Sequence, residues 1–233
     1  MSREETLESI LLIGNSRYHW AYKVGNKWEF KDEDRFNTKD KHLEKNLKAW
    51  AAVGERPKHK ILNPTSRIKT KDVPLPKVPK WLGVDRALAG LKGLEKIKKN
   101  YDLKSNSFFI ADAGTVFSIT KFNQDGEYSG GLLLPGFSLQ LKSMEKNTKN
   151  LKYKERKKIT SEKLPMSTLD SMIRGSMNSI IFNLNKIVEE HNTTIFLCGG
   201  DSHLIFNEES LKKSKIYLEP NLVLEGMISL CDL

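Results

Sequence analysis

One motif constrains this chain more than any other, because it occurs twice. The apolar run Ile10-Leu11-Leu12-Ile13 ends in Gly14-Asn15-Ser16 and doubles back through residues 18–24. Gly25-Asn26 then turns the chain into Lys27-Trp28-Glu29-Phe30. One hundred residues on, Phe108-Phe109-Ile110-Ala111 runs into Asp112-Ala113-Gly114-Thr115 and doubles back through residues 116–122. There Asp125-Gly126 makes the hairpin turn before Glu127-Tyr128. Each copy reads as strand, tight glycine turn, strand, hairpin turn, strand. Two unrelated hairpins would give the same pattern. A duplicated domain would place the two glycine turns across a cleft, where their backbone N–H groups and short hydroxyls suit phosphate oxygens.

Helical and strand patterns follow each opening. Residues 40–53 are expected to form a helix ending near Gly54, and Ile61-Leu62 a short strand. The proline-rich stretch 71–80 is expected to be an extended loop, and residues 85–99 a helix. In the second half, helices are expected over 137–147, 167–191, 201–207 and 220–230, with a buried strand at 195–198. Strands alternating with helices indicate an α/β chain. A boundary near Lys104-Ser105-Asn106 divides it into domains 1–105 and 106–233.

Bulk properties exclude several classes. No apolar stretch approaches the ~20 residues of a membrane-spanning helix. The two cysteines, Cys198 and Cys231, are too few for a disulfide scaffold and are expected as a reduced, buried pair. The charged N-terminus lacks a signal-peptide layout, so the cytoplasm is the expected compartment. A net charge of +10 raises the question of nucleic acid. The basic run 142–158 carries eight Lys and Arg residues but only Tyr153 as an interleaved aromatic. It reads as a solvated surface rather than a stacking platform, and nucleic acid is not expected as a partner.

Five constellations could carry chemistry. Gly83-Val84-Asp85-Arg86 opens a helix, where Asp85 either caps free N–H groups or points into the cleft as a general base. Arg86 would then bind an anionic group or brace Asp85. Asp112-Ala113-Gly114-Thr115 sets a carboxylate at a strand end, suited to a cation or to shaping an Asx turn. Gly130-Gly131 and Pro135-Gly136 bracket three leucines expected to be a buried strand. Thr168 opens the longest helix, where Ser171, Gly175 and Ser179 form a small-residue stripe suited to close helix packing. Cys198-Gly199-Gly200-Asp201 would let a flat ring or a phosphate approach the backbone.

In their order and spacing these residues resemble the type III pantothenate kinases across nearly the whole chain. The closing stretch 220–226 fits as well. The resemblance implies the duplicated ribonuclease-H-like α/β fold of actin and the sugar kinases. It implies ATP-dependent phosphorylation of pantothenate on its terminal hydroxyl, the first step of coenzyme A synthesis. Asp85 matches the family's catalytic base, and Gly83, Val84, Asp85 and Arg86 its pantothenate-contacting stretch, with Thr168 a further contact. Asp112 matches a carboxylate that holds a monovalent cation, K⁺ or NH₄⁺, beside Mg²⁺ carried with ATP. Thr115 matches an ATP-contacting threonine, and Gly14, Asn15, Ser16 and Arg17 the first phosphate-binding turn. Family members are homodimers with the site near the subunit interface.

One departure is marked. The family opens Asp-x-Gly-Asn-Thr, whereas this chain reads Leu12-Ile13-Gly14-Asn15-Ser16. A carboxylate expected beside the phosphates is replaced by leucine. The family's substrate-contacting tyrosine is also not evident before Gly83. Two alternatives therefore stand beside the kinase: a non-catalytic regulatory or accessory relative that binds nucleotide or nucleic acid, and a kinase with a different hydroxyl acceptor.

Overall fold

The computed structural model describes residues 8–34, 36, 46–100, 107–154 and 159–232. In chain order the strands are β1 (Ser9–Ile13), β2 (Tyr18–Val24), β3 (Lys27–Glu33), β4 (Leu47–Ala52), β5 (Ser107–Ala113), β6 (Val116–Asn123), β7 (Tyr128–Pro135), β8 (Ile195–Cys198) and β9 (Ile216–Leu218). The helices are α1 (Val84–Asn100), α2 (Phe137–Asn147), α3 (Thr168–His191), α4 (Ser202–Phe206) and α5 (Leu222–Cys231). They fall into two compact units. Unit 1 takes Met1–Leu103, Phe122–Tyr128 and Asn221–Leu233; unit 2 takes Lys104–Lys121 and Ser129–Pro220. The boundary residues 104–106 lie outside the described residues.

Unit 1 is built on a four-stranded sheet in the order β3-β2-β1-β4. β1 runs antiparallel to β2 and parallel to β4. All five β1 residues are buried, as expected of a central strand covered on both faces. On one face Leu11 and Ile13 pack with Trp20 and Trp50. Gly25, at φ +60°, makes the β2–β3 turn, a backbone conformation that glycine adopts without penalty. α5 lies so close on α1 that a Cβ on Gly226 would come within 2.2 Å of the Leu88 carbonyl oxygen. Lys92 ties the pair by donating to Glu95 and to Ser229.

Unit 2 repeats the arrangement with one strand more, in the order β7-β6-β5-β8-β9. β5 and β8 are parallel, as are β8 and β9. Met177, Ile180 and Leu184 of α3 share a core with Phe109 and Ala111 of β5 and Ile195 and Leu197 of β8. The order β7-β6-β5-β8 copies β3-β2-β1-β4. The repeated opening is thus a repeated topology, and the fold is the duplicated ribonuclease-H-like α/β fold of actin and the sugar kinases.

Several local expectations change. Of the helix expected over 40–53, residues 47–52 are instead strand β4, because Trp50 is drawn into the core beside β1; residues 37–45 lie outside the described residues. Ile61-Leu62 forms a turn, its N–H groups taken locally as Leu62 N donates to His59 O. The leucines of β7 are not a buried strand: Leu132 and Leu133 are 50% and 64% exposed on the outermost strand of the sheet. Cys198 is buried but Cys231 is only half-buried, and neither forms a disulfide. The stripe on α3 packs no helix at Gly175, where an added Cβ would meet open space. Lys142, Lys146, Lys149, Lys152 and Lys154 are exposed; Arg156, Lys157 and Lys158 lie outside the described residues.

Candidate functional site

In unit 1, three segments carry the candidate groups. The first is the turn after β1, where Gly14 N donates to Arg17 O at 2.9 Å and Asn15, Ser16 and Arg17 are exposed. The second, absent from the sequence reading, is Gly54, just beyond β4. A Cβ there would lie 2.0 Å from Gly14 O, so only glycine lets these two loops touch. Gly54 also borders a cavity of about 610 Å³ whose wall includes Trp50, Arg56, His59, Arg67 and Lys69. Arg67 lies over the Trp50 ring at 5.2 Å.

The third segment is the mouth of α1. Asp85 falls in its first turn, and Asp85 Oδ1 accepts from Arg86 N at 2.8 Å. A Cβ on Gly83 would lie 2.4 Å from the same oxygen. Burial raises the Asp85 carboxyl above its ordinary range, opposed by hydrogen bonds from the first-turn backbone and by the Arg86 charge. Asp85 therefore holds a first-turn N–H group and is at the same time a half-buried carboxylate. That combination equips it to hold a proton as well as an N–H group. The Arg86 guanidinium lies over the Tyr128 ring at 5.8 Å, and Trp81 meets Tyr128 edge-on at 5.5 Å. Trp81 is 69% exposed. These two aromatics were not singled out from sequence. Trp81 is two residues before Gly83, while Tyr128 reaches Arg86 only through tertiary structure.

In unit 2, Asp112 and Thr115 flank the turn after β5. Gly199, at φ +87°, follows β8 so closely that its Cβ would lie 2.3 Å from Asp112 Oδ1. Asp201 N donates to Ala113 O at 2.9 Å, joining the Gly199-Gly200-Asp201 segment to the strand end. Gly136 N donates to Thr115 O, and a Cβ on Gly136 would lie 2.1 Å from Gly114 O. Asp112, Thr115, Gly136 and Gly199 therefore converge on one point. Gly54 stands to Gly14 in unit 1 as Gly199 stands to Ala113 in unit 2, each a glycine closing the strand parallel to the opening one. Thr168 is the exposed first residue of α3. The cap itself is Ser167, which accepts from Asp170 N and donates to the Asp170 carboxylate at 2.6 Å.

Among the described residues, no three His, Cys, Asp or Glu side chains gather as a metal site. No described helix is long and apolar enough to cross a membrane. At the turn of unit 1 the position of the family's carboxylate holds Leu12, 7% exposed and packed into the sheet.

Comparison with known proteins agrees with this geometry. The family model of type III pantothenate kinase matches residues 60–190, more than half of the chain. A type III pantothenate kinase of Thermosynechococcus vestitus is 32% identical over 148 residues, 61% of this chain and 55% of the relative. One from Synechocystis sp. is 27% identical over 235 residues, 94% of this chain and 88% of the relative. Among solved structures, a Campylobacter jejuni protein assigned to the Baf family of transcriptional activators superposes with a TM-score of 0.62 at 17% identity. The match covers 96% of this chain and 97% of that one; it speaks to the fold alone. The matched segment 60–190 contains the mouth of α1, the turn after β5 and the start of α3, so the chain belongs to the type III pantothenate kinase family.

Proposed function

We propose that this protein transfers the γ-phosphoryl group of ATP to the terminal hydroxyl of pantothenate, the entry step of coenzyme A synthesis. The observation that carries the reading is Asp85: a partly buried carboxylate in the first turn of α1 whose pKa desolvation raises, with Arg86 beside it. The hydroxyl oxygen attacks the γ-phosphorus, the bond from that phosphorus to the bridging oxygen breaks, and ADP leaves. Asp85 takes the hydroxyl proton. Positioning and charge neutralisation supply most of the rate in phosphoryl transfer, with the base contributing the remainder.

Arg86 carries positive charge for the pantothenate carboxylate, and Trp81 and Tyr128 provide an aromatic wall in place of the family's tyrosine. Thr168 adds a hydroxyl donor. The amides of Asn15, Ser16 and Arg17 and the Thr115 hydroxyl serve the ATP phosphates. The carboxylate of Asp112, next to Gly199 at the end of β5, is a hard oxygen donor of the kind K⁺ or NH₄⁺ takes. Mg²⁺, arriving with ATP, would be held by the phosphates and water in addition to Asp112, because Leu12 offers it nothing. When bound it neutralises phosphate charge.

A homodimer accompanies this reading. Leu132, Leu133, Leu139 and Phe182 of unit 2 are 38–68% exposed, and α3 keeps an open small-residue face at Gly175. Exposed apolar groups of this kind mark association surfaces where they form a contiguous patch.

Leu12 favours a second reading, a relative that binds nucleotide without transferring phosphate. One experiment separates the two. Purified protein is given ATP, Mg²⁺, K⁺ and pantothenate in a coupled ADP-release assay. The kinase reading expects pantothenate-dependent turnover that is lost in Asp85→Asn. Folded protein that binds ATP without turnover would support the second.

A further inference from the structure

The sheet register of unit 1 lines up three residues across neighbouring strands. Leu12 of β1 faces His19 of β2, and His19 faces Asp32 of β3. Directly opposed residues of adjacent strands share a sheet face. The face that lacks the family's carboxylate at position 12 therefore carries an imidazole one strand over and a carboxylate two strands over. His19 Nδ1 and Asp32 Oδ1 are 2.7 Å apart. The Asp32 carboxyl is held below its usual range, first by that hydrogen bond. The other ring nitrogen sits against the glycine turn: Nε2 is 3.0 Å from the point where a Cβ on Gly14 would stand. Among the described residues Nε2 makes no hydrogen bond. Arg17, the last residue of the same turn, pairs with Asp34 at 3.4 Å.

We propose that His19, oriented by Asp32, binds the phosphates of the nucleotide at the 14–17 turn, replacing a metal-directed carboxylate by a direct cationic contact. This rests on the kinase reading above. With Nδ1–H donating to Asp32, the protonated ring presents Nε2–H beside the turn amides. A phosphate oxygen there accepts from both. A hydrogen bond between charged partners is worth more than one to a neutral amide. Asp32 is the positioning residue. It fixes which nitrogen points at the turn, as a carboxylate does for a metal-binding or catalytic histidine. The ligand class is the di- or triphosphate of a nucleotide.

The test measures ATP and ADP binding by titration calorimetry and the two KM values in the ADP-release assay. His19→Gln keeps a polar side chain without the charge and is expected to weaken ATP binding about tenfold, the scale of one hydrogen bond between charged groups. The KM for pantothenate stays unchanged. His19→Lys restores the cation and is expected to recover most of the affinity, which a merely structural role of the ring would not do. Asp32→Asn is expected to weaken ATP binding by a smaller factor, and His19→Gln/Asp32→Asn to bind no more weakly than His19→Gln alone, because Asp32 acts through the ring. If His19→Gln does not fold, His19→Lys with Asp32→Asn carries the comparison. ATP affinity in His19→Gln equal to that of the unaltered protein overturns the proposal while leaving the kinase reading standing. So does equal weakening in His19→Gln and His19→Lys. Unaltered protein that binds no nucleotide overturns both.

Discussion

The Asp85 carboxylate occupies the space that any side chain at residue 83 would need: a Cβ on Gly83 would lie 2.4 Å from Asp85 Oδ1. Gly83 carries no positive φ among the described glycines, so alanine there meets a steric obstacle only, and the short Asp85 side chain is what must move. If Asp85 is the base, Gly83→Ala should lower kcat by at least about tenfold, because a misplaced catalytic group loses rate steeply. Because the barrier is local, thermal melting should change little. Melting and steady-state kinetics on the same preparation check both halves.

Burial raises the Asp85 pKa, and the sign of its effect on stability follows. The folded protein holds this proton more tightly than the unfolded chain, so Asp85 weakens the fold as pH rises from the ordinary aspartate range through the raised value. Asp85→Asn removes the buried charge and retains an oxygen to accept from Arg86 N. The variant should therefore melt higher than the parent at neutral pH, by about 2–4 °C for each kcal/mol gained, and match it in acid. It should also lose about 10²–10⁴-fold in turnover if Asp85 is the base. In the parent, kcat should fall as pH drops through the raised pKa, since a protonated base accepts nothing. A variant less stable than the parent at neutral pH would contradict the burial argument.

What was legible from sequence was what short-range pattern controls. The paired glycine turns at Gly14 and Gly114, α1 behind Gly83, and α3 behind its Ser167 cap all follow from residues adjacent in the chain. The failures share a cause. Residues 47–52 look helical because Lys48, Ala49 and Ala51 favour a helix locally, while the burial of Trp50 against β1 decides for a strand. That error hid Gly54, which read as a helix end rather than as the counterpart of Gly199. Tyr128 was missed because its contact with Arg86 spans 42 positions, from residue 86 to residue 128. The leucines at 132 and 133 look like core in composition and are surface, because β7 ends its sheet.

Helix packing offers a prediction independent of function. A Cβ on Gly226 would stand 2.2 Å from Leu88 O and 2.9 Å from the Leu88 carbonyl carbon. Backbone does not yield as a flexible side chain does, so Gly226→Ala must push α5 off α1. Overpacking of this kind costs about 1–3 kcal/mol, roughly a 2–12 °C lower melting temperature for a chain of this size. Gly175→Ala serves as the contrast. Its Cβ enters open space in the middle of α3, where alanine exceeds glycine in helix propensity by about 1 kcal/mol. It should melt higher. A lower melting temperature would show that another surface occupies that space, as a second copy of the chain would.

The exposed apolar groups of unit 2 give the most direct test of association. Leu133 and Phe182 are 64% and 68% exposed, so each has little to lose from the fold of its own chain. If they meet a second copy, a charge at either position buries unpaired in the contact and is costly there, while costing the isolated chain almost nothing. Leu133→Asp and Phe182→Asp should each move sedimentation-velocity profiles from the dimer toward the monomer, with circular dichroism unchanged. Pantothenate-dependent turnover should fall with the dimer fraction and recover as protein concentration is raised. A variant that sediments as the parent does would assign these side chains to the solvent surface and leave dimerisation to another face.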